Sequence, residues 1–369
     1  MPDILLIGAG KIGETIADML TACGDYRVTV CDRSTAQLAH VTRRRDLLPR
    51  VLDVTDPAEL DAAMAGKFAV LSAAPFHLTT AIAEAAARAG IHYFDLTEDV
   101  ASTQAVRALA ADASSVFLPQ CGLAPGFISI VGHDLAQHFE RLDSLRMRVG
   151  ALPKYPSNAL NYNLTWSTDG IINEYINPCE AVVDGEILQV PAMEELEEFS
   201  LDGVRYEAFN TSGGLGTLCE TLAGRVRTMN YRTIRYPGHR DIMKLLLQDL
   251  KLRDRRPVLK DILEFALPTT LQDVVVIFVT ASGHRHGGFV QESYARKVYG
   301  RMLHGTERSA IQITTASAIC AALDLVRERH LPNQGFVKQE QIALDVFLAN
   351  RFGAAFADPG DRRELSIAV

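Results

Sequence analysis

Gly8-Ala9-Gly10-Lys11-Ile12-Gly13 sets three glycines in the spacing G-x-G-x-x-G. In a loop that holds a dinucleotide each glycine has its own task. Gly8 permits a tight turn, Gly10 lets backbone approach a pyrophosphate, and Gly13 lets the following helix pack close to its strand. The phosphates then face free N–H groups and the positive end of the helix dipole. Lys11 and Ile12 lie in the same loop and join the glycines as candidate cofactor-binding residues. Asp32 stands 19 positions after Gly13, near the spacing of a ribose-binding carboxylate. A carboxylate there accepts hydrogen bonds from both ribose hydroxyls and repels a 2′-phosphate, so the loop favours NAD over NADP. Arg33 softens that exclusion by offering a phosphate a partner or by stacking on adenine. Asp53, at the tip of the third strand, either reaches adenine or caps a turn. Ala73-Ala74-Pro75 forms a small-residue loop past which a dinucleotide can run, or an ordinary connection. The alternative for the whole glycine cluster is a turn that merely joins strand to helix.

The elements around these residues follow from periodicity. Residues 4–7 form a continuous apolar run, and Ile12, Ile16, Met19 and Leu20 make a helical stripe behind it. Further strands are read at 27–31, at Val51 and Leu52, and at 68–72, 91–95 and 116–118. Helices lie between them, notably at 57–65, 77–89 and 103–112. Fully apolar strands separated by helices imply a parallel sheet covered on both faces, a doubly wound α/β fold. After about residue 130 the texture changes. A strand at 144–151, a helix at 169–177 and a hairpin at 181–190 turning on Asp184-Gly185 are expected. Helices follow at 240–252 and 257–265. Two long strands, 272–282 and 287–299, are joined by the His- and Gly-rich segment 283–288. This is an α+β domain dominated by an antiparallel sheet. An apolar helix at 309–326 returns to the first domain. The expected division is 1–130 for dinucleotide binding, 131–308 for substrate binding and dimerisation, 309–350 for returning helices, and 351–369 for a tail.

Composition sets the class. With 369 residues, two domains are expected, and 48% hydrophobic against 22% charged residues excludes a disordered or fibrous chain. A net charge of −8 argues against nucleic acid or an anionic membrane as the principal partner. The six cysteines form no CxxC, and no Cys or His pair has zinc-ligand spacing, so no metal is expected. Scattered cysteines in apolar stretches suit a reducing cytoplasm. The start of the chain shows no basic, cleavable leader pattern, and the run Val274 to Val279 is too short to span a bilayer. A cytoplasmic protein is expected.

Motifs spread along the chain resemble the saccharopine dehydrogenase family. In the first domain they are the glycine loop, Leu71-Ser72-Ala73-Ala74-Pro75, Phe94-Asp95-Leu96 and Gly122-Leu123-Ala124-Pro125-Gly126. In the second they are Tyr162 to Gly170, Glu207 to Gly214, and Thr233-Ile234-Arg235-Tyr236-Pro237-Gly238-His239. The last two look closest to the lysine 6-dehydrogenase branch. The resemblance implies a Rossmann domain with an inserted α+β substrate domain, commonly dimeric. The activity it implies is nicotinamide-dependent oxidation of the carbon–nitrogen bond at the lysine ε-carbon, giving 2-aminoadipate 6-semialdehyde and ammonia. The alternative is the glutamate-forming saccharopine dehydrogenase reaction. A remoter alternative is a regulatory protein that binds NAD without chemistry.

That chemistry makes three demands. The amine must be neutral before hydride leaves its carbon, so a general base must lie within reach. Protons must then be moved while water adds and the amine departs. The amino-acid carboxylate also needs a cation, ideally an arginine. His239 has an ordinary pKa suited to shuttling protons, or is a packed or capping histidine. Arg235 is a candidate carboxylate clamp, with Arg232, Arg240 and Lys244 as alternatives. Asp95, at the end of a parallel strand, orients the amine or relays a proton, or caps the next helix. Glu98 carries the same reading. His77 faces nicotinamide or caps its helix, and Gly122 opens a turn whose N–H groups can bind the carboxamide or a carboxylate. Tyr162 and Trp166 line the substrate's aliphatic chain or belong to the core. Thr211 and Ser212 suit a second carboxylate, a closing loop or a polar turn. Cys121 has no activating neighbour in sequence and is set aside.

Overall fold

The computed structural model describes residues 1–42 and 47–357. Residues 358–369, most of the expected tail, lie outside the described residues. The chain divides into two compact units. Met1–Ile130, His304–Thr306 and the chain from Gln312 onward make the first, and Val131–Leu303 with Glu307–Ile311 make the second.

The first unit is a parallel sheet. Its strands are β1 (Asp3–Ile7), β2 (Arg27–Asp32), β3 (Leu48–Val51), β4 (Ala69–Ser72), β5 (His92–Asp95) and β6 (Val116–Leu118). Their order is β6-β5-β4-β1-β2-β3, and the short strand Gly335–Phe336 extends it beyond β6. The order reverses between β1 and β4, the switch point where ligands gather in such sheets. Ile4, Leu5 and Leu6 are completely buried, which is why β1 reads as an unbroken apolar run. The expected doubly wound fold is present. The helices Lys11–Ala22, Pro57–Met64, Thr79–Ala89 and Val100–Ala110 lie near their expected places, while helix Thr35–Thr42 and the strand Gly335–Phe336 were not anticipated.

The second unit is built on an eight-stranded sheet. In chain order its strands are β7 (Arg141–Pro153), β8 (Cys179–Val183), β9 (Glu186–Val190), β10 (Glu197–Leu201), β11 (Val204–Asn210), β12 (Val226–Arg235), β13 (Asp273–Arg285) and β14 (Gly288–Tyr299). The order is β10-β11-β12-β7-β13-β14, with the β8–β9 hairpin set on β12. Only β12 and β7 run parallel; the other pairings are antiparallel. The turn at Asp184-Gly185 is as expected, with φ 51° and 88°. The expected helix at 240–252 is broken into an α-turn His239–Lys244, a wider turn Leu245–Asp249 and a tight turn Leu252–Asp254. Lys251, in the left-handed region at φ 54°, stops the helix from continuing. Helix Ala310–Arg327 is long and apolar enough to cross a membrane, but it is 89% buried and serves as a core helix.

Candidate active site

In the first unit the parallel register aligns the ends of four strands. Ile7 pairs with Cys31 and with Ser72, and Ser72 pairs with Asp95. Gly8, Asp32, Ala73 and Asp95 therefore meet at one sheet edge. Gly8 has φ 103°, and a Cβ there would stand 2.7 Å from the Ala73 carbonyl oxygen. At Gly13 a Cβ would stand 1.8 Å from the Gly8 carbonyl oxygen, so any side chain would push the helix off the strand. Around Gly10, in contrast, the space is open, and no side chain caps the helix that follows. The first-turn N–H groups, at Lys11 and Ile12 among them, thus have no side-chain acceptor, the condition a pyrophosphate requires. Asp32 braces the loop: its Oδ2 accepts from Ala9 N–H and its Oδ1 from Ser34 N–H, both at 2.8 Å. Arg33 beside it is exposed. This cradle fits a dinucleotide. Ser72 adds a buried hydroxyl with no protein partner.

The other sequence candidates in this unit divide between their alternatives. Asp53 is exposed and its Oδ1 takes both the N–H and the hydroxyl of Thr55, so it closes a turn. Asp95 caps no helix; Asp99 does that, accepting from Ser102 N–H at 2.8 Å. Asp95 is instead 1% exposed and accepts from Tyr93 Oη at 2.7 Å, Gln120 N–H at 2.8 Å and Thr97 N–H at 3.0 Å. Burial pushes its pKa up to about 6 against those three donors. Asp95 is therefore a tie that fixes the loops after β5 and β6. Glu98, half-buried, has its pKa raised chiefly by burial. His77 is exposed, in the tight turn Phe76–Leu78, and makes no cap. The Gly122 turn is closed on itself, since Gly122 N–H donates to Pro125 O and Cys121 N–H to Asp95 O. Those N–H groups are spent, which corrects the expectation that Gly122 binds a ligand. Cys121 is fully buried, with its thiol pKa raised far by burial, and is no nucleophile.

In the second unit, β12 carries Arg235 into a buried cluster, 2% exposed. Its Nε donates to Tyr175 Oη at 2.8 Å and its Nη1 to the Ile234 carbonyl at 2.8 Å. The guanidinium lies 5.1 Å from the centre of the Tyr162 ring. Thr211 Oγ1 is buried without a hydrogen-bond partner among the described residues, and Tyr162 Oη is buried beside Thr165 and Trp166. Ser212 Oγ donates to the Asn173 carbonyl at 3.4 Å. Trp166 packs over Gly170, where a Cβ would stand 2.4 Å from the indole. His239 is 1% exposed, with Nε2 3.0 Å from Tyr175 Oη and Nδ1 2.9 Å from the Leu160 carbonyl. Burial and the nearby Arg235 push its pKa down to about 3. It is thus a neutral, fully engaged ring, which corrects the proton-shuttle reading. The cationic alternatives are also spoken for. Arg232 pairs with Glu195 and Glu197, and Arg240 and Lys244 pair with Glu194. Among the described residues no group of three or more His, Cys, Asp or Glu side chains is arranged to hold a metal.

Two family models cover nearly the whole chain. The saccharopine dehydrogenase NADP binding domain matches residues 4–116, and the saccharopine dehydrogenase C-terminal domain matches residues 122–352. The chain belongs to the saccharopine dehydrogenase family. Similar curated proteins include the saccharopine dehydrogenase (NADP(+), L-glutamate-forming) of Saccharomyces cerevisiae, 25% identical over 68% of this chain and 59% of that enzyme. Its namesake in Pyricularia oryzae is 24% identical over 70% of this chain and 60% of that enzyme. The match therefore spans about three-fifths of the length of these fungal relatives. The mouse mitochondrial alpha-aminoadipic semialdehyde synthase is 20% identical over 51% of this chain and 21% of that protein. Among solved structures, apo yeast saccharopine dehydrogenase (L-Glu forming) has a TM-score of 0.77 at 18% identity, covering 92% of this chain and 94% of that one. The homospermidine synthase of Legionella pneumophila, in complex with NAD, has a TM-score of 0.69 at 12% identity, covering 96% and 89%. Both share the fold. In this member of the saccharopine dehydrogenase family, Tyr93, Gln120 and Tyr175 are site residues that sequence reasoning missed. Each meets its partner only through tertiary structure, and none lies in a motif that marks it.

Proposed function

We propose that the chain is a nicotinamide-dinucleotide-dependent oxidoreductase acting at the carbon–nitrogen bond of an amino acid of lysine metabolism. The observation that carries this reading is Arg235, a buried cation hydrogen-bonded to a phenol and a main-chain carbonyl and to no carboxylate. The charge of the buried Glu174 also acts on it, and the guanidinium, hydrogen-bonded only to neutral groups, suits an anionic ligand such as an amino-acid carboxylate. Thr211 Oγ1, buried and without a partner among the described residues, offers a further hydrogen bond to the same ligand. In the other unit the Gly8–Gly13 loop and Asp32 hold the dinucleotide, which when bound takes hydride from the carbon bearing nitrogen. Asp95 holds the loop after β5, which carries Glu98, by accepting from Thr97 N–H.

The names of the fungal relatives support saccharopine, with glutamate released, as the first substrate. One observation favours the lysine ε-carbon as a second reading. Of the buried arginines Arg148, Arg232, Arg235 and Arg308, the first two pair with Glu197 and Glu195, and Arg235 is the one this reading gives to a ligand carboxylate. Lysine presents one carboxylate and saccharopine three. For the cofactor, Asp32 supports NAD, whereas the relatives are named for NADP. Steady-state assays with each substrate and each cofactor separate these readings. Turnover of neither substrate overturns the proposal.

A further inference from the structure

Two kinds of buried arginine occur in the second unit. Arg148 gives two nitrogens to one carboxylate, Nη2 to Glu197 Oε1 at 2.8 Å and Nε to Glu197 Oε2 at 3.0 Å. Arg232 gives Nη1 to Glu197 Oε2 at 2.8 Å and Nη2 to Glu195 Oε2 at 2.7 Å. Their charges are cancelled within the protein and they do structural work. Arg235 is as deeply buried, and although the charge of buried Glu174 acts on it, its hydrogen bonds go to neutral groups. Tyr175 Oη takes the Nε proton, and the Ile234 carbonyl takes one from Nη1.

The donors and acceptors of this support run in one direction. A carbonyl only accepts, so His239 Nδ1, facing the Leu160 carbonyl, carries the ring proton. That leaves Nε2 as an acceptor, 3.0 Å from Tyr175 Oη. Tyr175 accepts from Arg235 and donates to His239, so each member can be satisfied only in this arrangement. Phe209 closes the cluster from the side, with ring centres 5.6 Å from Tyr175 and 6.4 Å from His239. The support thus holds the guanidinium in place without neutralising it.

We infer that Tyr175 and His239 are positioning residues which prop Arg235 as a charged fork for a single ligand carboxylate. The inference deepens the proposed function and rests on its reading of Arg235. A carboxylate prop would occupy the fork and cancel the charge, as Glu197 does for Arg148. The phenol–imidazole pair avoids both, and burial beside Arg235 favours the neutral form of the ring.

The test uses the full chain, with acetate as the carboxylate probe and acetamide as its uncharged counterpart, followed on the Arg235 Nε–H resonance. In the native protein acetate should shift that resonance and acetamide should not. Tyr175→Phe, which keeps the ring, should weaken acetate binding about tenfold or more. If the variant turns over substrate, KM should rise with kcat little changed. Nitrogen NMR of His239 in the native protein gives a second reading that needs no variant, and it should show the proton on Nδ1. An Arg235 resonance indifferent to acetate, a Tyr175→Phe variant that binds acetate as well as the native chain, or a His239 proton on Nε2 would overturn the inference. Failure to turn over lysine or saccharopine, with acetate still bound, would count against the proposed substrates and leave the propped fork standing.

Discussion

Asp32 does two jobs with one carboxylate. It braces the glycine loop through Ala9 N–H and Ser34 N–H, and on the proposed NAD reading its charge also opposes a 2′-phosphate. Asp32→Ser should therefore lower kcat/KM with NAD about tenfold, roughly 1.4 kcal/mol, and raise it with NADP; a kinetic comparison of the two cofactors checks this. Asp95 makes a prediction in pH. Its carboxyl rises from 3.8 to about 6 in the fold, chiefly through burial. The native state then holds a proton that the unfolded state releases. Its contribution is fully present below about pH 4 and is lost as pH rises through about 6, about 3 kcal/mol at ~1.4 kcal/mol per pKa unit. Asp95→Asn should flatten that slope in denaturation series run from pH 4 to pH 7. The glycines and Asp32 were legible in the sequence because their work is local backbone geometry. The ties were not: Gln120 reaches Asp95 across 25 residues and Arg235 reaches Tyr175 across 60. No spacing rule encodes such pairs. His239 misled for the same reason, since its ordinary pKa holds only for an open ring.

At the scale of elements, periodicity found the parallel strands because both their faces are apolar. It missed β12, whose sequence Val-Arg-Thr-Met-Asn-Tyr-Arg-Thr-Ile-Arg looks like a solvated strand. Its polar residues are buried because Arg232 pairs with Glu195 and Glu197 and Arg235 is hydrogen-bonded to Tyr175 and the Ile234 carbonyl, so the polar pattern marks buried pairing and not exposure. The hairpin β10–β11 was hidden likewise by the run of glutamates that serve those arginines. Gly13 shows how tightly one helix approaches its strand. Gly13→Ala, with no room for its Cβ, should weaken dinucleotide binding more than tenfold, as read by calorimetry. The core helix Ala310–Arg327 begins on a buried carboxylate, since Ala310 N–H and Ile311 N–H both donate to Asp273. Asp273→Ala strips that cap and should cost about 1–2 kcal/mol, seen as a lower midpoint in urea.

One unit carries a dinucleotide cradle, and the other carries the buried Arg235 that we propose receives a ligand carboxylate. The fold class and the family were readable from composition, periodicity and motifs. The choice between one- and three-carboxylate substrates was not, because it depends on which arginines are cancelled by distant glutamates. The homodimer expected from the family resemblance remains a proposal, and light scattering should give twice the 40.4 kDa chain mass. The central claim is tested most directly by following reduced nicotinamide formation by absorbance, with NAD or NADP offered beside saccharopine or L-lysine. The account predicts reduction in at least one pairing, with glutamate released from saccharopine or ammonia from lysine. Well-folded protein that reduces neither cofactor with either amino acid would contradict it.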